Sequence, residues 1–396
     1  MEKEKKQSII GLMGSLLINS VLYMFVNTFM VAYFYTLTNY DYTIISIFYI
    51  MSFIFIALST LVLGKTVKNK MQAPIFRLGI FLYCIYILLI ALLKEQIIEH
   101  YIWLGAFYGI VQGVLWAPGH LLVNEYADDI SNKFVSYKSM IGNFLQIIFP
   151  FIFGTSIELT SFSHVALMVL ILSTIQFSFS LFIKEKDLHK NKTYNLKEFV
   201  NYLKTTKNEK LKIFYRIMFY EGIVNYLLDT LIVIMIVMTF KTNISLGILT
   251  TIFSCCSILS VYIFQRRLKN NNKILIFSTV MTVFSVLLLL FDITKISVII
   301  YNLITSVFLI LLINNAEEKR YNVIQNEQKV KEDYLTEHQV VSEMYLNVSR
   351  IFGFFILFAI SFFNNLLYFK ILLVFVTLSI IRYAGLMIKL NKINSL

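Results

Sequence analysis

The sequence predicts an all-α membrane protein in which twelve transmembrane helices form two six-helix bundles. Of its 396 residues, 58% are hydrophobic and 15% are charged, and the mean hydropathy is +0.73. Soluble proteins are about 45–50% apolar and about 25% charged. Charged residues gather in short islands, and the apolar runs between them reach the roughly 20 residues that cross a bilayer. A basic segment at 184–212 divides these runs into two sets of six.

The spans follow the apolar runs in order. The first run comes after the basic start "MEKEKK" and is far longer than the roughly 7–15 residues of a signal-peptide core, so we expect it to be retained. Three cysteines, Cys84, Cys255 and Cys256, lie inside apolar runs and are interpreted as core residues without a disulfide framework. We place the spans at 9–37, 42–64, 74–93, 101–123, 135–158, 163–183, 213–239, 244–264, 274–291, 295–314, 340–362 and 366–388.

The distribution of basic residues predicts the orientation. Most of the 35 Lys and Arg residues fall at the two termini and in the segments that follow even-numbered spans. The positive-inside rule therefore places both termini in the cytoplasm of a multi-pass protein of the cell membrane. It also accounts for the net charge of +12, so we expect no nucleic-acid partner.

The same pattern predicts the domain organisation. We expect a first six-helix bundle at 1–183, a cytoplasmic basic linker at 184–212 and a second bundle at 213–396. Within the linker, "NLKEFVNYLK" (195–204) is typical of a short surface helix. The halves echo each other at an offset of about 200, because "FVNTFMV" (25–31) corresponds to "LLDTLIV" (227–233) and pairs Asn27 with Asp229.

Several motifs accompany this layout. Short basic loops follow spans 2 and 8, and "GIVQGVLWA" (109–117) is similar to the pattern R-x-x-Q-G-x-x-x-A, with Gly109 in the arginine position. In "GNFLQIIFPFIFG" (142–154), Pro150 and Gly154 lie where a Gly-Pro bend occurs in antiporters, with Phe149 in place of the glycine. On these features the chain resembles the major facilitator superfamily over essentially its whole length. The resemblance implies two parallel halves around a central cavity and transport by alternating access.

Two acids and an amide interrupt the seventh span. In "YEGIVNYLLDTLIVIMIV" (220–237), Glu221, Asn225 and Asp229 are spaced four apart and share one helix face. A charged side chain at a helix centre costs about 2.5–3.5 kcal/mol and normally faces a bundle interior or a wet cavity. The three residues are therefore candidates for substrate binding or proton coupling, and a fixed structural network is the alternative.

The eleventh span carries a matching set. In "SEMYLNVSRIFGFF" (342–355), Glu343, Asn347 and Arg350 again share one face and are candidates for the same roles. Arg350 lies too deep to reach the cytoplasm, so we expect it to pair with a carboxylate. Two pairings are open: one with Glu343 on its own helix, the other across the bundle with Glu221 or Asp229.

Other polar residues within spans are candidates to line the cavity, although interhelical hydrogen bonds are the alternative role for each. These candidates are Asn19, Asn27, Gln112, Trp116, Asn143 and Gln146.

No enzyme site emerges, since the sequence has no P-loop, no Cys/His metal spacing and no nucleophile elbow. We expect a secondary active transporter with no metal and no cofactor.

The leading hypothesis is efflux of lipophilic or cationic compounds, with protons as the candidate coupling ion. One alternative is an importer of a sugar, peptide or organic acid, which predicts several convergent polar residues in the cavity. Another is a non-transporting receptor, which predicts a collapsed cavity. The expected partners are a small-molecule substrate and the lipid bilayer, and the expected state is a monomer.

Overall fold

The computed structural model describes the backbone at residues 2–68, 71–184, 193–268, 272–327, 330, 333–363 and 365–394. Side chains are described at the same positions except 2, 3, 5, 124–139, 265–268, 317–322, 324–326 and 394. Within this part of the chain every regular element is a helix.

Twelve helices among the described residues are long and apolar enough to cross a membrane, which confirms the predicted number. The seventh span begins at Glu209, earlier than predicted, because the Asn208 side chain caps it by accepting a hydrogen bond from the Leu211 backbone N–H at 3.3 Å. A continuous run of helical backbone, Tyr101–Leu159, carries both the fourth and the fifth span. The spans are Lys6–Leu37, Thr43–Lys68, Gln72–Ile98, Tyr101–Val123, Met140–Leu159, Phe162–Ser180, Glu209–Phe240, Asn243–Phe264, Asn272–Phe291, Lys295–Ala316, Leu335–Ser361 and Leu366–Ile393.

Large apolar side chains cover the outside of the spans as well as the interior. Val62, Ile171, Leu259 and Leu378 are all more than half exposed. In water such surface would cost about 25 cal/mol per Å². The exposed surface of the spans therefore fits a lipid environment.

The first and seventh spans contain the same local irregularity. Each is interrupted by a π-helical segment, Phe25–Met30 in the first and Ile223–Leu227 in the seventh. Such segments insert an extra residue into an α-helix and are frequent at functional sites. The second segment begins 198 residues after the first, so the structure pairs Asn27 with Asn225. The repeat is real at this point, but the predicted pairing of Asn27 with Asp229 is wrong by four residues.

The predicted surface helix of the linker forms at Leu196–Thr205. It is anchored to the protein, because Phe199 is fully buried with its ring 5.3 Å from that of Tyr334. The Tyr334 hydroxyl also donates a hydrogen bond of 2.5 Å to the Glu198 carboxylate, and this bond raises the pKa of Tyr334 to about 12. The linker is thus bound to the start of the eleventh span, although residues 185–192 of the predicted tether lie outside the described residues.

With twelve spans, both termini lie on one side of the membrane, which we call the termini side; the other is the far side. On the far side the two halves are in close contact. The Thr43 hydroxyl, at the far end of the second span, donates to the Ser361 hydroxyl of the eleventh at 2.8 Å. Between the fifth and eighth spans, Gly154 and Gly247 pack so closely that a Cβ on either would meet backbone at about 2.5 Å. The far side is therefore closed along two interfaces.

The second and eleventh spans also meet on the termini side. The Lys68 ammonium lies 2.5 Å from the Glu337 carboxylate, and the side chain of Glu337 is fully buried. The same carboxylate accepts a hydrogen bond of 2.8 Å from the backbone N–H of Asn195, which precedes the linker helix. This ion pair joins the first half, the second half and the linker at one point.

Candidate functional site

A cavity of about 380 Å³ lies between the first six and the last six spans. This volume falls in the range of small-molecule sites, roughly 300–1,000 Å³. The first half lines it with Tyr23, Tyr49, Phe53, Ile56, Tyr108, Gln112, Trp116 and His120. The second half lines it with Phe214, Met218, Glu221, Tyr226, His338, Gln339, Ser342, Glu343, Leu346 and Arg350.

The fourth span contributes a polar stripe at a spacing of four residues. Gln112, Trp116 and His120 all face the cavity, as this helical spacing requires. The Trp116 indole N–H donates to the Gln112 side-chain oxygen at 2.6 Å, and the His120 ring stacks on the Trp116 ring at 5.3 Å. The stripe runs from the middle of the span towards its termini-side end, so the cavity extends in that direction.

Asn27 holds two cavity tyrosines in place from the first π-helical segment. Its amide nitrogen donates to the Tyr108 hydroxyl at 2.8 Å, and its amide oxygen accepts from the Tyr49 hydroxyl at 3.0 Å. The nitrogen also donates to the Tyr23 carbonyl at 2.8 Å. Asn27 itself is not among the lining residues, so the structure gives it a positioning role behind the wall.

Arg350 forms the central part of the opposite wall. It is 9% exposed, and its guanidinium carbon lies 3.9 Å from the centroid of the Tyr226 ring and 5.4 Å from that of Phe53. Tyr226 belongs to the second π-helical segment. One Arg350 nitrogen donates to the Asn347 side-chain oxygen at 3.0 Å. The Asn347 amide is itself oriented, since its nitrogen donates to the Glu343 carbonyl at 2.8 Å.

The expected ion pair of Arg350 does not form with any carboxylate whose side chain is described, since none lies within ion-pair distance of the guanidinium. Glu343 is seven residues away, about 10 Å along a helix, and Asn347 occupies the intervening turn. Pairing with Glu221 or Asp229 is likewise absent, because the guanidinium stacks on Tyr226 instead. Both predicted pairings are wrong for this conformation.

The acids of the seventh span separate. Glu221, 6% exposed, lines the cavity, whereas Asp229 is exposed and does not line it. The π-helical segment lies between them and breaks the regular spacing that placed them on one face. Asn225, within that segment, is half-buried, and its side-chain oxygen has no hydrogen-bond partner among the described residues. Glu343, at 8% exposed, joins Glu221 in the cavity wall.

The other predicted lining residues have different positions. Asn19 is buried and accepts a hydrogen bond of 3.4 Å from Gln176, so it joins the first and sixth spans. In the fifth span, Asn143 is half-buried and Gln146 is exposed, and neither lines the cavity. Of the six candidates, Gln112 and Trp116 are in the wall.

Sequence reasoning missed the aromatic part of the site and its histidines. Tyr23, Tyr49, Tyr108 and Tyr226 line the cavity, but aromatic residues are abundant everywhere in this chain. One usable signal existed in the eleventh span, where residues 338, 342, 346 and 350 recur at the spacing of one helix face and all line the cavity. His338, the first of them, is buried and shares a hydrogen bond of 2.7 Å with the Tyr215 hydroxyl.

Comparisons with known proteins agree with this architecture. The fold is similar to that of the nucleoside transporter NupG, with a TM-score of 0.64 and 13% identity over 97% of this chain and 98% of that one. It is similar to a bacterial homologue of the iron transporter ferroportin in an inward-facing state, with a TM-score of 0.67 and 13% identity over 99% of each chain. Curated proteins give no sequence match. The sequence profile of the Major Facilitator Superfamily matches residues 12–316. Because that match covers most of the sequence, the chain belongs to the Major Facilitator Superfamily.

Proposed function

We propose that this protein is a secondary active transporter that carries a small polar organic solute across the cell membrane by alternating access. The observation that carries the proposal is the cavity between the halves, to which both halves contribute polar side chains. Gln112 and His120 come from the first half, and Glu221, Glu343 and Arg350 come from the second. Several convergent polar groups are what a carrier of a polar solute requires, because they orient the solute and confer specificity.

The far-side contacts support the alternating-access part of the proposal. The hydrogen bond between Thr43 and Ser361 and the packing of Gly154 on Gly247 join different halves. Rocking of one half against the other would break these contacts and open the cavity to the far side. Because basic residues concentrate on the termini side, we propose that this side is cytoplasmic, with the domain division 1–183, 184–212 and 213–396.

Efflux of lipophilic cations coupled to protons is the second candidate. Two carboxylates, Glu221 and Glu343, line the cavity, and aromatic rings such as Tyr226 and Trp116 surround it. Carboxylates and aromatic faces both attract organic cations. The two candidate functions share one site and differ in the solute that the site accepts.

Flux measurements in vesicles test the proposal. The purified full-length protein is reconstituted, and uptake of uridine, benzoate and tetraphenylphosphonium is compared with and without a pH gradient. Saturable flux of a polar solute supports the proposal, whereas flux of tetraphenylphosphonium alone favours the efflux hypothesis. Absence of flux for a broad solute panel would favour a non-transporting receptor.

A disulfide lock tests the mechanism in the same vesicles. The Thr43 and Ser361 side-chain oxygens are 2.8 Å apart, so paired Thr43→Cys and Ser361→Cys substitutions place two thiols within bonding reach. Oxidation should stop the flux and reduction should restore it, while each single variant stays active. Undiminished flux through the fully cross-linked protein would exclude opening at this interface.

A further inference from the structure

We infer that the cavity binds an anionic group of its solute, a carboxylate or a phosphate, at Arg350. This inference rests on the proposed function and names the solute class for the same cavity. Its basis is a buried cation to which the described side chains offer no counter-charge. Arg350 lies near the middle of the Leu335–Ser361 helix, and no carboxylate lies within ion-pair distance among the side chains that the structure describes.

The surroundings of the guanidinium lower its energy without neutralising it. Stacking on Tyr226 at 3.9 Å is a favourable cation–π contact. It recovers only part of the cost of placing an arginine at the centre of a spanning helix. Asn347 supplies a neutral acceptor for one N–H. The positive charge therefore persists in the wall of the cavity and favours an anion there.

The arrangement of donors fits an oxyanion. Tyr226 covers a face of the guanidinium, with Phe53 also nearby, which leaves the N–H groups at its edge for in-plane acceptors. Arginine has five N–H donors in a planar fork that matches carboxylate and phosphate oxygens. The Nε of Arg350 is buried and has no hydrogen-bond acceptor among the described residues.

The first half supplies a second donor to the same cavity. The amide nitrogen of Gln112, a residue only 1% exposed, has no acceptor among the described residues, and its oxygen is engaged by Trp116. Two buried donors from different halves thus face one cavity without an acceptor from the described residues. A buried donor without an acceptor is destabilising, so an incoming oxyanion would be stabilised at each of these donors.

The acids of the cavity lie to one side of this point. Glu343 is two helical turns nearer the termini side than Arg350, and Glu221 precedes Tyr226 by five residues in a span that starts on that side. An anionic group at the Arg350 end of the cavity is therefore placed away from both carboxylates.

A tryptophan reporter makes the inference testable. The chain has two tryptophans: Trp116 lines the cavity, and Trp103 is 78% exposed. In a Trp103→Phe protein, Trp116 is the remaining tryptophan, and quenching of its fluorescence reports a molecule bound in the cavity. The purified full-length protein is titrated with 4-nitrobenzoate, with 4-nitrophenyl phosphate and with the uncharged 4-nitrobenzamide, whose nitroaromatic rings quench indole fluorescence.

We expect at least one anion to quench Trp116 fluorescence saturably. Its half-saturating concentration should be about tenfold or more below that of the amide. The better of the two anions identifies the favoured group. Arg350→Gln should abolish the preference, and Arg382→Gln, at an exposed arginine of the twelfth span, should preserve it. Equal binding of the amide and the anions to the Trp103→Phe protein would overturn the inference. This comparison does not depend on whether an Arg350 variant folds. Survival of the preference in a folded Arg350→Gln protein would also overturn it.

Failure of this inference is distinguishable from failure of the proposed function. If a neutral or cationic solute crosses the vesicle membrane and anions neither bind nor compete, the transporter proposal stands and the anion site is wrong. If anions bind through Arg350 but no solute crosses, the anion site stands and transport is wrong.

Discussion

Replacing Gly154 with alanine should open the far side of the protein. A Cβ at this position would lie 2.5 Å from the carbonyl oxygen of Asn243 and 2.9 Å from the Cα of Gly247. Both are backbone atoms of the eighth span, so no side chain can rotate away. Overpacking of this kind costs about 1–3 kcal/mol. If the fifth and eighth spans separate when the far side opens, the clash is confined to the closed state, and the open population rises by a factor of about 5 to 150.

The assay measures access to the far-side seam. Ser361, which is 9% exposed, is changed to cysteine, and its labelling rate with a membrane-impermeant maleimide is measured in lipid nanodiscs. The same proteins without Ser361→Cys are labelled in parallel, and their labelling gives the background from the three native cysteines. When opening and closing are fast, the labelling rate follows the open population and should rise by the same factor. Gly385→Ala is the matched control, because an added Cβ there meets no atom within 4 Å.

Two results would refute this reasoning. Labelling that rises no more in Gly154→Ala than in Gly385→Ala, with an unchanged unfolding temperature, would mean that the helices absorb the methyl group. A lower unfolding temperature without faster labelling would mean that the halves form one rigid unit, which contradicts alternating access.

Three further predictions concern single side chains. Lys68→Ala should lower the thermal unfolding temperature, since an uncompensated buried Glu337 costs about 3–5 kcal/mol. Adding Glu337→Leu to this variant should recover most of the loss. An unchanged unfolding temperature in Lys68→Ala would contradict a buried ion pair. Asn27→Ala should raise the KM for the solute identified in vesicles, because two cavity tyrosines lose a hydrogen bond that positions them. An unchanged KM would assign Asn27 to stability alone. Glu221→Gln should reduce flux of that solute by about tenfold or more, whereas Asp229→Asn should leave the flux unchanged. The reason is that Glu221 lines the cavity and Asp229 does not. A larger loss of flux in Asp229→Asn than in Glu221→Gln would move the site towards Asp229.

The twelve spans and the linker helix were predictable because each depends on local pattern. An apolar run of sufficient length forms a spanning helix in whichever bundle it packs, and "NLKEFVNYLK" has the apolar spacing of a surface helix. The membership of the cavity wall depends on how each helix is rotated about its axis. Gln112 and Gln146 are both glutamines in apolar spans, yet packing places the first in the cavity wall and leaves the second exposed elsewhere. Residue type alone does not separate them.

The π-helical segments explain why the seventh span was harder to interpret than its spacing suggested. A face drawn at intervals of four assumes α-helical geometry from Glu221 to Asp229, and the segment Ile223–Leu227 removes that assumption. Neither "FVNTFM" nor "IVNYL" contains Gly or Pro, the residues that usually indicate a helix irregularity. The error in the position of Asp229 therefore follows from this irregularity of the seventh span.

The corrected register also shows that the two halves contribute different residues to the cavity. An offset of 198 residues places Tyr23 of the first half opposite Glu221 of the second, and both line the cavity. A symmetric pair of bundles thus carries an asymmetric site, in which every Asp, Glu, Lys or Arg of the described lining belongs to the second half. Since charge discriminates between solutes more strongly than aromatic contact does, substitutions in the second half should alter which solute is accepted. Substitutions at the aromatic residues of the first half should instead alter how tightly any solute is held.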